Sequence, residues 1–216
     1  MKKIFIFDFD GVIVDSVHIK TEAFGELFGF YGPDIKERVI NHHIANGGMS
    51  RFEKIQLYHR DFLGKTISQQ KLTEELERFS NIVFTKVVKS KFIKGAIEII
   101  SFCRRSNIIC GLNSATPEDE LKKIIFSKGL DKNFQFIYGS PASKVENFKK
   151  IFRYTNTSAE EAIFFGDSMN DFIAASELNI DFVGINFQKD ERFNNDFSIY
   201  NDFIDFKNKN LVISKS

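Results

Sequence analysis

Tryptophan is absent from this 216-residue sequence, cysteine occurs twice, and no stretch reaches the roughly 18 consecutive apolar residues that a membrane-spanning helix needs. Cys103 and Cys110 lie close together in apolar surroundings, too few for a disulfide framework or a thiolate metal site. They read as reduced core thiols, which fits a reducing compartment. An excess of charge of one sign is also missing. Thirty basic against 29 acidic side chains leave a formal net charge of +1, so no bulk field points to nucleic acid or to an anionic membrane. The opening Met-Lys-Lys is followed by apolar Ile4–Phe7, but Asp8 and Asp10 interrupt the run before it reaches signal-peptide length. These absences describe a cytoplasmic chain whose partners must be sought in local sites.

What the sequence has in quantity is apolar side chains, 43% of the total and 26 of them phenylalanine, enough to bury a core in one domain or in one domain with a large insertion. Short continuous apolar runs at Ile4–Phe7, Ile108–Leu112, Phe134–Tyr138, Ala162–Phe165 and Phe182–Ile185 have the character of strands buried on both faces. Helical segments between the later ones argue for an α/β fold with a parallel sheet. Two helix starts are marked: Thr116 before Pro117, with Asp119 placed to reach back, and a capping box of Ser158 with Glu161. Residues 16–91 differ. They show helical spacing, for instance Leu72, Leu76, Phe79, Val83 and Val87, with breaks at Gly29–Asp34, Asn46–Ser50 and Gly64–Ser68. The expected organisation is therefore a core of residues 1–15 and 92–216 and an inserted bundle of about four helices over 16–91. The last twenty residues, around Phe203, Ile204 and Phe206, suggest a final short strand and a loose tail.

Chemistry concentrates where strands end. Asp8-Phe9-Asp10-Gly11 follows the first strand, and two carboxylates at that spacing near a buried strand end need a cation or a division of roles. Gly166-Asp167-Ser168-Met169-Asn170-Asp171 follows another strand and opens a helix, so that Asp167 and Asp171 form an oxygen-rich cluster of the kind Mg²⁺ accepts. Either acidic pair alone is also ordinary turn or capping chemistry. Ser114, in Leu112-Asn113-Ser114-Ala115-Thr116-Pro117, can offer its hydroxyl near a helix start to a phosphate oxygen. Lys144 begins a helix, where its charge opposes the positive end of the dipole and calls for a nearby anion.

In order and context these four pieces resemble the haloacid dehalogenase-like (HAD) hydrolase superfamily, over nearly the whole chain. The closest likeness is to its helical-cap members, the phosphoglycolate-phosphatase-like and β-phosphoglucomutase-like enzymes. The resemblance implies a Rossmann-like core with a cap after the first strand. It implies Asp8 as nucleophile and Asp10 as general acid and then base. It implies Mg²⁺ held by Asp8, the Asp10 backbone carbonyl and Asp167, with Asp171 close by, and Ser114 and Lys144 on the phosphoryl group. The activity implied is hydrolysis of a small phosphorylated metabolite through an aspartyl-phosphate. A sugar phosphomutase is the alternative enzyme, and a non-catalytic phospho-ligand or protein-binding relative the alternative class. Asp10 argues against a dehalogenase, and a phosphonate hydrolase would need a cap lysine, for which Lys36, Lys54 and Lys65 are the candidates. Asn46-Gly47-Gly48-Met49-Ser50-Arg51 is similar to the specificity loop of the capped enzymes, which makes Arg51 a candidate contact for the distal end of the substrate. His42 and His43 have no identifiable partner and are given no catalytic role. A monomer is the default expectation.

Overall fold

The computed structural model describes residues 2–46, 49–185 and 197–210. Among the described residues six parallel strands form one sheet in the order β3-β2-β1-β4-β5-β6. They are β1 (Ile4–Phe7), β2 (Ile109–Pro117), β3 (Phe136–Ser140), β4 (Ala162–Gly166), β5 (Asp181–Ile185) and β6 (Ser198–Tyr200). The central strand β1 is buried at every position, as a continuous apolar run predicts. It pairs with β2 on one side and β4 on the other, with Phe7 level with both Leu112 and Phe165. The Asp8 N–H continues the ladder by donating to the Phe165 carbonyl at 2.8 Å. Because the strands are in step, Asp8 and Asp167 follow the ends of β1 and β4, and Ser114 lies two residues past Leu112 on the neighbouring β2, near the place where the strand order reverses and ligands of such sheets bind.

The helices are α1 (Val17–Gly29), α2 (Pro33–Ala45), α3 (Arg51–Leu57), α4 (Gln69–Lys89), α5 (Ala96–Arg105), α6 (Glu118–Ser127), α7 (Lys144–Thr155), α8 (Met169–Ser176) and α9 (Phe203–Asn210), and a π-helical turn at Tyr58–Phe62 extends α3. The chain divides into two compact units, Met1–Asp15 with Ser90–Ser216, and Ser16–Lys89. The second holds only helices among its described residues, α1 to α4 and the π turn. Gly47 and Gly48 of the loop before α3 lie outside the described residues. No helix of the described residues is long and apolar enough to cross a membrane.

Phenylalanine fills the sheet unit in two layers, because neighbouring strand residues face opposite sides. Phe164 packs with Phe148 and Phe182 on the side of α7 and α8, in a core shared with Ile4, Ile6 and Phe136. Its neighbour Phe165 packs with Phe5, Phe7, Phe203 and Phe206 on the other side, the Phe7 and Phe165 rings stacking at 4.9 Å. The two cysteines are free and buried, with the Cys110 thiol pushed up by its hydrogen bond with Cys103 and by burial.

Two local expectations are corrected. The segment around Phe203, Ile204 and Phe206 is helix α9, not a strand: Phe203, 2% exposed, caps the Phe7–Phe165 layer, and helical spacing brings Phe206 onto Phe165 as well. The short strand β6 precedes it. Pro117 is not the first residue of α6 either. It ends β2 with extended ψ of 133°, the helix begins at Glu118, and no side chain caps it. The capping box of Ser158 with Glu161 is present, at the start of a single 3₁₀ turn before β4.

Replacing Phe7, fully buried and stacked on Phe165, by alanine is expected to cost about 3–5 kcal/mol, read from denaturant unfolding. A loss below about 1 kcal/mol would mean that this layer can collapse onto the cavity.

Candidate active site

The first turn after β1 carries Asp8, 7% exposed, whose Oδ1 accepts the Phe9 N–H at 2.7 Å. Its Oδ2 lies 3.1 Å from the ammonium of Lys144, the first residue of α7. Ser143 caps that helix in a reciprocal box with Glu146, which fixes where Lys144 starts. The predicted anion for this lysine is therefore a pair of them: Lys144 Nζ also donates to Asp171 Oδ1 in a short bond. Burial works against the Lys144 charge, but Asp171 and Asp8 outweigh it and hold its pKa above the ordinary lysine range.

Asp171 is completely buried, and its second oxygen is a local acceptor hub. Oδ2 receives the Asp167 N–H at 3.2 Å, the Ser168 N–H at 3.1 Å and the Ser168 hydroxyl at 2.7 Å. Capping of α8 and the charge cluster thus use the same side chain. Gly166 is required for this: a Cβ there would come within 2.4 Å of the Asp171 Cβ. The carboxylates of Asp8, Asp167 and Asp171 come within 4.8 Å of one another. Burial first, then Asp171, Asp8 and Asp10, push the Asp167 carboxyl well above its usual range, with Lys144 opposing. Asp8 is raised to about 6, by burial chiefly, against the pull of Lys144.

On the β2 side, Ser114 is 2% exposed and its Oγ accepts the Thr116 N–H at 3.2 Å, which leaves the hydroxyl proton to be donated elsewhere. Asn113 is fully buried. Its amide donates to the Lys144 carbonyl at 2.9 Å and accepts from Asn147 at 3.1 Å, tying the start of α7 to the end of β2. Asp10 is half-buried and accepts a bond from the Thr116 hydroxyl at 2.9 Å. Neither Asn113 nor Thr116 stands out in the sequence, since a buried Asn on a strand and a Thr before Pro are both commonplace.

Four of the predicted residues, Asp8, Lys144, Asp167 and Asp171, thus meet in one cluster of the sheet unit, with Asp10 on the same turn as Asp8 and Ser114 on the neighbouring strand β2. Arg51 belongs to the helical unit, where it opens α3 and donates to Ser80 on α4 at 3.0 Å. The histidines do have partners there: His42 meets the Tyr58 hydroxyl at 3.2 Å, and His43 Nδ1 lies 2.8 Å from Lys54 Nζ. Lys54 is 1% exposed and its pKa falls to about 8 through burial and the charge of Lys20; Lys36 and Lys65 are exposed.

A parallel sheet with an acidic cluster around one half-buried lysine at its strand ends is the architecture of the haloacid dehalogenase-like hydrolases. The family model "Haloacid dehalogenase-like hydrolase" matches residues 5–185, and the chain belongs to that family. Among characterised relatives it is similar to a phosphoglycolate phosphatase of Colwellia psychrerythraea, 24% identical over 202 residues that cover 86% of this chain and 85% of the relative. Of solved structures, a predicted phosphoglycolate phosphatase from Haemophilus somnus superposes with a TM-score of 0.74 at 16% identity, covering 96% of this chain and 97% of the other. A β-phosphoglucomutase from Clostridium difficile gives 0.70 at 21% identity, over 99% and 100%. At these identities the structural matches speak for the fold.

The raised Asp8 carboxyl carries a consequence for stability. A group whose pKa is higher folded than unfolded contributes stability that is complete below its ordinary value and is lost as pH rises through the folded value, here about 6. Asn cannot ionise. In metal-free buffer Asp8→Asn is therefore expected to gain stability relative to wild type as pH goes from 4 to 7.5, by roughly 1–3 kcal/mol. Urea unfolding at the two pH values measures it, and an offset independent of pH would contradict the burial of an uncompensated charge.

Proposed function

We propose that the protein is a Mg²⁺-dependent phosphatase that hydrolyses a small phosphomonoester through an aspartyl-phosphate on Asp8. The observation that carries this reading is the Lys144 ammonium set between Asp8 and Asp171 within a cluster of three carboxylates. Such a cluster has more negative charge than one lysine offsets, and the raised Asp8 and Asp167 carboxyls register the deficit. That donor set fits a hard divalent cation, with Asp8, the Asp10 backbone carbonyl and Asp167 as its ligands and Asp171 beside them. Bound there, Mg²⁺ would supply positive charge to the phosphoryl oxygens.

The chain's own residues do the rest. An Asp8 carboxylate oxygen attacks phosphorus while the bond to the leaving oxygen breaks, and Asp10 delivers its proton to that oxygen. In the second step Asp10 takes a proton from water, the water oxygen attacks phosphorus, and the bond to Asp8 breaks to release phosphate and the free carboxylate. Ser114 donates its remaining proton to an equatorial phosphoryl oxygen, and Lys144 stabilises the charge spread over those oxygens. In this reading residues 16–91 would serve as the cap, with Arg51 the candidate contact for the distal part of the substrate. The named activity of the Colwellia psychrerythraea relative makes phosphoglycolate the first compound to try.

Phosphate release from a panel of phosphoglycolate, sugar phosphates and nucleotides tests this. Turnover is expected with Mg²⁺ and not with EDTA, and Asp8→Asn should abolish it while leaving the fold intact. Lys144→Ala is expected to lower kcat by about 10²-fold or more. Undiminished turnover in Asp8→Asn would refute the nucleophile, and wild-type rates in Lys144→Ala would remove the lysine from the phosphoryl site.

A further inference from the structure

Thr116 is 4% exposed, and its hydroxyl donates to Asp10 Oδ2 at 2.9 Å across 106 residues of sequence. The backbone around it is held independently of that bond. The pairing of β2 with β3 shifts register between Asn113 and Pro117, and within the shifted stretch Ser114 and Thr116 are buried while Ala115 is exposed. The Thr116 N–H is taken by Ser114 Oγ. On the β3 side a Cβ at Gly139 would fall 2.4 Å from the Thr116 carbonyl oxygen, so the two strand ends touch backbone to backbone. A β-branched side chain with few χ1 choices stands on this fixed strand end, so its hydroxyl has a defined position.

Asp10, by contrast, sits on the turn after β1, where a carboxyl has two rotatable bonds of its own. Fixing one of its oxygens fixes the plane of the group, and with it the direction in which Oδ1 presents a proton. We infer that Thr116 is a positioning residue, which holds the Asp10 carboxyl in the orientation that delivers its proton to the leaving oxygen. The inference rests on the phosphatase reading and adds to it a residue whose role no strand-end motif signals.

Leaving groups that differ in their need for a proton test it. An alkyl phosphomonoester expels an alkoxide, which requires one; acetyl phosphate expels acetate, which does not. The value of kcat/KM reports the steps up to loss of the leaving group, so the later role of Asp10 with water does not enter. For Thr116→Val, with Mg²⁺ present, kcat/KM for the best alkyl ester of the panel is expected to fall about tenfold or more, a part of the roughly 10²–10⁴ that general acid catalysis supplies. That for acetyl phosphate should stay within about twofold, because no proton is asked of Asp10. Thr116→Ser, which keeps the donor, should restore most of the alkyl-ester rate. Should Thr116→Val fail to fold by circular dichroism, Thr116→Ala carries the same comparison. Equal losses on both substrates would show a merely structural role, and no loss on either would show none; both overturn the inference while the phosphatase reading stands. A wild-type protein inert toward every ester would overturn that reading and this inference with it.

Discussion

Lys144 brings a single ammonium to a place where the ends of β1 and β4 deliver carboxyls, and the arrangement around it follows from the cost of keeping those charges together. At an effective dielectric of about 20, two unit charges roughly 4 Å apart repel by about 4 kcal/mol, comparable to a large part of a domain's stability. Asp8, Asp167 and Asp171 approach within 4.8 Å, so a fold that positions them must also position their counter-charge. It does so by spending local capping chemistry on the task. Ser143 and Glu146 fix the first turn of α7, Asn113 holds the Lys144 carbonyl, and Ser168 and the Asp167 N–H fill the far oxygen of Asp171. A lysine at a helix start, unfavourable by itself, becomes the element that lets the acidic strand ends coexist.

Much of this was legible in the sequence, for a physical reason. Strands buried on both faces are continuous apolar runs, and ligand-facing residues of a parallel sheet fall where those runs stop, which marks Asp8, Ser114 and Asp167. Lys144 was legible through its conflict with the helix dipole. The illegible part depended on facts that no local pattern carries. Thr116 looks like a helix cap before Pro117, but the register shift between Asn113 and Pro117 keeps it in the strand and turns its hydroxyl to Asp10, 106 residues away. Asn113 reads as one polar residue in an apolar strand; only the approach of α7 gives it the Lys144 carbonyl as partner. Phe203, Ile204 and Phe206 fit a strand or a helix equally over so short a span, and the rings of Phe7 and Phe165 decide for the helix.

The helical unit also buries a base. Lys54 meets the ring and the carbonyl of His43, and both groups lose proton affinity, Lys54 to about 8 through burial and the charge of Lys20, His43 to about 4 through burial and the charge of Lys54. Arg51 is likewise held within the unit, by Ser80 and over the Phe79 ring. Other bases of the unit do pair with carboxylates, Lys71 and Arg78 with the buried Glu75 and Lys86 with Glu22 and Glu26, so Lys54 on its histidine is the exception there.

The buried carboxyls of the sheet unit bear on how the proposed site would take a cation. In the sheet unit the raised pKa values of Asp8 and Asp167 mean that, without a metal, protons compete for the positions a metal would neutralise. Cation binding at such a cluster releases protons, so its affinity must rise with pH through the range in which Asp8 titrates, near 6. In the proposed reaction the same ionisation would ready Asp8 as a nucleophile, since only the carboxylate can attack phosphorus. Metal loading and activation of the nucleophile would then be one equilibrium, set by how deeply β1 buries the residue that follows it.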